Sequence, residues 1–151
     1  MNHPKRVVGF VGPIYDALQG ASYPLMRMVT GLFLLPHGAQ KLFGLFGGDI
    51  SKTAGFFAKV GIEPALPLAY VTGTVEFFGG LFLVLGLFTR IAAAGVAIMM
   101  AVAILSVHLA NGYFWTSGGY EYPLMWALLA LAIFIHGGGR FSLDRVIGYE
   151  F

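Results

Sequence analysis

Four long, nearly uncharged stretches separated by short polar joints set the rhythm of this chain. They cover about residues 23–45, 65–88, 91–112 and 122–135, close to the roughly 20 apolar residues that carry a helix across a bilayer. The fourth is short, with a possible earlier start near Gly119. The pattern predicts an all-α membrane protein, a bundle of four transmembrane helices. Pro24 suits an early position in the first helix. The second and third stretches meet at Thr89 and Arg90, so they should form a tight antiparallel hairpin.

The first loop is longer. Ile50, Ala54, Phe57 and Val60 recur there at helical spacing, with Lys52 and Lys59 pointing elsewhere and Asp49 or Ser51 placed to cap. This reads as a short amphipathic helix on the membrane surface. The third loop, residues 111–120, is rich in Tyr, Trp and Gly without a basic residue, as an interfacial aromatic belt would be. The chain divides into an N-terminal segment (1–22), a transmembrane domain (23–138) and a C-terminal tail (139–151). At the start, Lys5 and Arg6 precede an apolar run in the manner of a signal peptide. Gly9, Gly12 and Pro13 interrupt that run, which favours a retained tail with an interfacial turn over residues 13–18. Lys5, Arg6, Arg90, Arg140 and Arg145 fall on one side, against Lys52, Lys59 and Lys41 on the other. That bias places both termini in the cytoplasm, and the natural location is the bacterial inner membrane.

Composition agrees. Of 151 residues, 58% are hydrophobic and 11% charged, against about 25% charged in soluble domains. So small a chain cannot hide that much apolar surface in one aqueous core, and lipid is the expected partner. With no cysteine, thiolate metal sites and iron–sulfur clusters held by this chain are excluded. A net charge of +2 without a basic aromatic face argues against nucleic acid.

Against this background Glu76 stands out, a lone carboxylate near the middle of the second stretch. Such a group costs roughly 3 kcal/mol to insert and marks a functional site by default. Arg27, Gly31, Leu34, His37, Gly38 and Lys41 share one stripe of the first helix, and Gly73, Glu76, Gly79, Gly80 and Leu83 share one of the second. On the third, Ala94, Ala97, Ala101, Leu105 and His108 line up similarly. At about 1.5 Å per residue, His37 and Lys41 fall in the outer half, and Glu76 sits near the midplane within about a turn of His37 in depth. His108 and Glu121 lie near the outer end, and Arg27 about two turns toward the cytoplasm. Pro36 is placed to kink the helix beside His37. The expected site is a polar pocket open to the outer leaflet, drawn from Arg27, His37, Lys41, Glu76, His108 and Glu121. Each also has a structural role open to it, as an ion pair, a snorkelling lysine or a capping group. No catalytic set and no metal site is assigned, because no His-x-x-His or Glu-x-x-His spacing occurs.

At these residues the chain resembles the DoxX family of small four-helix membrane proteins. The resemblance is carried by Arg27 with residues 31–44 (GLFLLPHGAQKLFG), by 76–90 (EFFGGLFLVLGLFTR), and by His108 with 119–123 (GYEYP) and 137–144 (GGGRFSLD). Gly138 stands where the family often has proline. The resemblance implies four transmembrane helices and a link to redox physiology, since relatives include the membrane subunit of a thiosulfate:quinone oxidoreductase. The expected function is a redox-associated inner-membrane subunit binding quinone or a similar lipophilic ligand. In it His37 and Glu76 exchange protons at a ligand carbonyl, Lys41 and Arg27 compensate charge, and His108 with Glu121 closes the mouth. Electrons would come from a redox protein partner, for no flavin, haem or iron–sulfur motif is evident, and enzyme status stays open. The alternatives are a non-enzymatic assembly protein and a small transporter; the latter needs a homo-oligomer, which the glycine-rich faces permit.

Overall fold

A computed structural model describes residues 7–150, and all regular secondary structure among them is helical. Lys5 and Arg6 lie outside the described residues. Helix α1 is Gly12–Phe43, α2 Ile50–Lys59, α3 Ala65–Leu85 and α4 Thr89–Asn111. Helix α5 is Glu121–His136 and the short α6 is Leu143–Ile147.

Residues 13–18, expected as a separate interfacial turn, are instead the first turns of α1. Pro13 sits where its missing N–H is not needed. The helix also continues through Pro24 and Pro36, both inside it, although each removes a backbone bond. Its 32 residues make it about 48 Å long, longer than the roughly 30 Å hydrocarbon layer. Helices α3 and α4 are long and apolar enough to cross a membrane. Helix α1 has the length but carries Asp16, Arg27 and Lys41. Helix α5 is apolar, yet its 16 residues reach only about 24 Å. Length and composition thus support two spans directly, and the other two long helices pack beside them.

The packing of α1 on α3 follows from glycine. A Cβ on Gly31 would land on the Gly80 carbonyl oxygen, and one on Gly38 would land on the Phe77 backbone. A Cβ on Gly80 would lie 2.8 Å from the Gly31 carbonyl oxygen. Backbone therefore meets backbone along an antiparallel crossing, as small residues allow between membrane helices. Fully buried Leu83, Val96 and Ile133 fill the space between α3, α4 and α5, where Ala93 and Ala130 let the helices close. Outside, Phe33, Ile98, Leu105, Leu128 and Ile135 are exposed, an apolar belt that only lipid or another apolar partner can cover.

The short helix expected in the first loop is α2. Asp49 caps it, its side chain accepting from Ser51 N–H at 2.7 Å. The hairpin between α3 and α4 is as tight as its sequence predicts: Gly86 ends α3 in the left-handed region (φ 66°), and α4 starts at Thr89. Tyr113, Phe114 and Trp115 are exposed in the third loop, in keeping with an interfacial belt.

Gly38→Ala is expected to lower the unfolding free energy by about 1–3 kcal/mol, since the added methyl would meet the Phe77 backbone and Cβ, which cannot swing aside. Gly55→Ala on α2, where nothing lies within 4 Å of the new Cβ, should be neutral or stabilising by up to about 1 kcal/mol. Denaturant unfolding in detergent micelles checks both.

Candidate functional site

The α1–α3 crossing brings Lys41 against Glu76. Gly73, one turn before Glu76, leaves room for the Lys41 stem: a Cβ there would lie 3.2 Å from Lys41 Cβ. Lys41 Nζ donates to both carboxylate oxygens, at 2.7 and 2.9 Å. The pair is largely buried, with side-chain exposures of 16% and 11%. Two opposite charges so placed form a neutral, strongly dipolar unit in a poor dielectric, where each is costly without the other.

This ion pair forms part of the wall of a cavity of about 870 Å³ between α1, α2, α3 and α4. That volume is within the range of small-molecule sites. Most of the lining is apolar, including Phe57, Leu68, Met99 and Ala103, and the polar exceptions include Lys41, Glu76 and His108. Glu76 and His108 each lie in a π-helical turn, Val75–Gly79 and Ile104–His108. Such turns insert one residue into a helix and occur often at functional sites.

Three of the six expected residues therefore share one cavity: Lys41, Glu76 and His108. The other three do not line it. His37 is exposed on α1. It falls about 80° from the centre of the buried stripe at 3.6 residues per turn, an offset visible in the spacing. Glu121 accepts from the Trp115 N–H at 3.1 Å and holds the third loop rather than the cavity mouth. Arg27 lies 14 residues before Lys41, about 21 Å along the axis, at the opposite end of the bundle.

There Arg27 builds a second polar station. It is 1% exposed and donates through Nη1 to the Gly138 carbonyl and through Nη2 to the Phe141 carbonyl at 2.6 Å. Asp144, equally buried, accepts from the Phe88 and Thr89 N–H groups at 2.7 and 3.0 Å, capping α4 from outside the helix. Gly86 lies between them, and any Cβ on it would strike the Arg27 guanidinium. Arg90 donates to the Phe134 and Ile135 carbonyls at 2.7 and 3.0 Å, satisfying the end of α5. Gly138 N–H donates to Glu150 at 2.9 Å, a bond that a proline at this position could not make. The capping role of Asp144 is new relative to the sequence, although the residue belongs to the motif that ends the family resemblance. A cap supplied from 55 residues away leaves no local signal.

Helix α2 is the unexpected wall. Lys52, which the amphipathic pattern turned away from the apolar face, also lines the cavity. Among the described residues, no group of three or more His, Asp or Glu side chains is placed to hold a metal ion.

A bundle with two spanning-length apolar helices, an exposed apolar belt and a buried ion pair defines a small helical membrane protein. Residues 23–109 match the DoxX family, and the chain belongs to it. An uncharacterized protein of Haemophilus influenzae is 35% identical over 80% of this chain and 86% of its own length. The "Putative oxidoreductase CatD" of Bacillus subtilis is 32% identical over 82% of this chain and 84% of its own. An uncharacterized membrane protein of Mycobacterium tuberculosis is 31% identical over 92% and 91%. No solved structure matches the chain.

If the Lys41–Glu76 pair is a matched unit, Lys41→Met alone should cost about 3–5 kcal/mol by stranding the carboxylate. Adding Glu76→Gln to it should recover a large part of that loss. A double-mutant cycle of unfolding free energies in micelles reads the coupling directly.

Proposed function

We propose that the cavity between α1, α2, α3 and α4 binds a membrane-soluble ligand with a polar headgroup, quinone being the leading class. The observation that carries this reading is the meeting of Lys41, Glu76 and His108 in one largely apolar cavity. Their charged and hydrogen-bonding atoms can orient a headgroup while the apolar walls take its ring and chain. Lys41 is placed to donate to a ligand oxygen, and Glu76 and His108 are groups able to hold protons. The oxidoreductase name of the Bacillus subtilis relative supports a redox setting, in which electrons come from a partner protein.

In this reading all four long helices cross the bacterial inner membrane with both termini in the cytoplasm. The Arg27–Asp144 station, with Arg90, Arg140 and Arg145, then lies at the cytoplasmic face, consistent with the positive-inside bias. The cavity opens toward the outer half of the bilayer. His37, exposed near Glu76, stands outside the headgroup pocket as an accessory proton carrier.

One observation favours a second reading. Lys41 already bonds both oxygens of Glu76, so the pair satisfies itself and can serve only to fix α1 on α3 in an assembly protein. The two readings part at the cavity. Full-length protein in lipid nanodiscs should bind decylubiquinone saturably over empty discs. Ala103→Phe, which fills the cavity without touching the ion pair, should weaken binding at least about tenfold, or 1.4 kcal/mol. Unchanged affinity in that variant would place the ligand elsewhere and leave the ion pair a structural clamp.

A further inference from the structure

His108 differs from the other polar members of the cavity in having its proton position assigned by a neighbour. Its Nδ1 lies 2.7 Å from the Gly118 carbonyl oxygen. A carbonyl can only accept, so Nδ1 carries the hydrogen. In the neutral ring the remaining nitrogen, Nε2, is then an acceptor with a free lone pair. Asn111 Nδ2 donates to the same carbonyl at 3.2 Å and to the Val107 carbonyl at 3.3 Å, which holds the loop carbonyl where the ring meets it. Nε2 makes no hydrogen bond among the described residues, and the ring lines the cavity. Across the cavity Lys41 has only hydrogens to offer, and each Glu76 oxygen already accepts one of them.

We infer that His108 Nε2 accepts a hydrogen bond from a hydroxyl of the bound ligand, so the cavity selects a lipophilic phenol or hydroquinone over its ether or quinone counterpart. This rests on the cavity being a ligand site, as proposed above. Any ligand oxygen can accept from Lys41. A hydroxyl can also satisfy His108, and a headgroup without a donor forgoes that hydrogen bond. The loop that bears Gly118 thereby sets headgroup preference although it does not line the cavity.

The test uses two probes that differ by one hydrogen-bond donor and need no redox chemistry: 4-nonylphenol and 4-nonylanisole. Each is measured by equilibrium binding to the full chain in lipid nanodiscs, with empty discs subtracted. The wild type is expected to bind the phenol at least about fivefold tighter than the anisole, the scale of one hydrogen bond. His108→Phe, which keeps a flat ring without the acceptor, should bring the two affinities within about twofold of each other. Equal binding of both probes to the wild type would overturn the inference while leaving the cavity reading intact, and that comparison needs no variant to fold. A phenol preference that survives His108→Phe would overturn it as well, by moving the acceptor to another wall oxygen, on Glu76, Thr53 or Thr72. Binding of neither probe above empty discs would overturn the cavity reading and this inference with it.

Discussion

Everything polar in this bundle depends on how closely α1 and α3 approach. Gly31 and Gly80 let one backbone rest on the other, and Gly38 repeats the contact against Phe77. Larger residues at these points would hold the helices apart by the width of a side chain. Lys41 would then no longer reach both Glu76 oxygens. The ion pair is thus a consequence of the glycines before it is a stabilising element. In lipid, where apolar contact between helices gains little over apolar contact with acyl chains, such close packing is what remains to fix register.

The bundle keeps its buried charges at two stations instead of one. At one end, Lys41 and Glu76 neutralise each other beside a cavity. At the other, Arg27 and Asp144 are spent on backbone, the arginine on carbonyls of the segment after α5 and the aspartate on amides at the start of α4. The first has apolar space next to it, and the second is consumed by helix ends and a turn. That contrast, more than burial, separates a candidate binding site from a structural junction. Arg27 is the more buried of the two cations, so burial alone would have ranked the stations the wrong way round.

The helical frame was largely legible in the sequence because long apolar stretches bounded by glycine, proline and charge leave few alternatives. Asp49 was a visible cap, and Gly73, Glu76, Gly79, Gly80 and Leu83 are all buried as their spacing predicts. The third stripe was not legible. On α4 the buried residues are Thr89, Ala92, Ala93 and Val96, while Ala101 and Leu105 are exposed. Two physical reasons account for it. Alanine is apolar enough for either face, and the π turn at Ile104–His108 adds a residue that rotates the end of the helix by about 100° relative to a regular one. The start of α1 was hidden too, because Pro13 looks like a break and serves as a beginning. Asp144, Glu150 and the cavity wall from α2 depend on tertiary contacts that no spacing along one element encodes.

Two π turns bring the cavity and the ion pair under one constraint. A wider turn disturbs the regular i to i−4 ladder, and in lipid an unsatisfied backbone group is expensive. Such turns therefore persist where neighbouring protein makes up the loss or where the displaced side chain has a use. Glu76 and His108 come from different helices, yet both sit in π turns and both face the same cavity. A purely structural clamp between α1 and α3 accounts for the first of these turns, because Glu76 must meet Lys41. It gives no reason for the second, since His108 takes no part in the ion pair and its one bonded nitrogen is committed to a loop carbonyl. In the proposed reading, a ligand held between the carboxylate–ammonium pair and the imidazole would account for both.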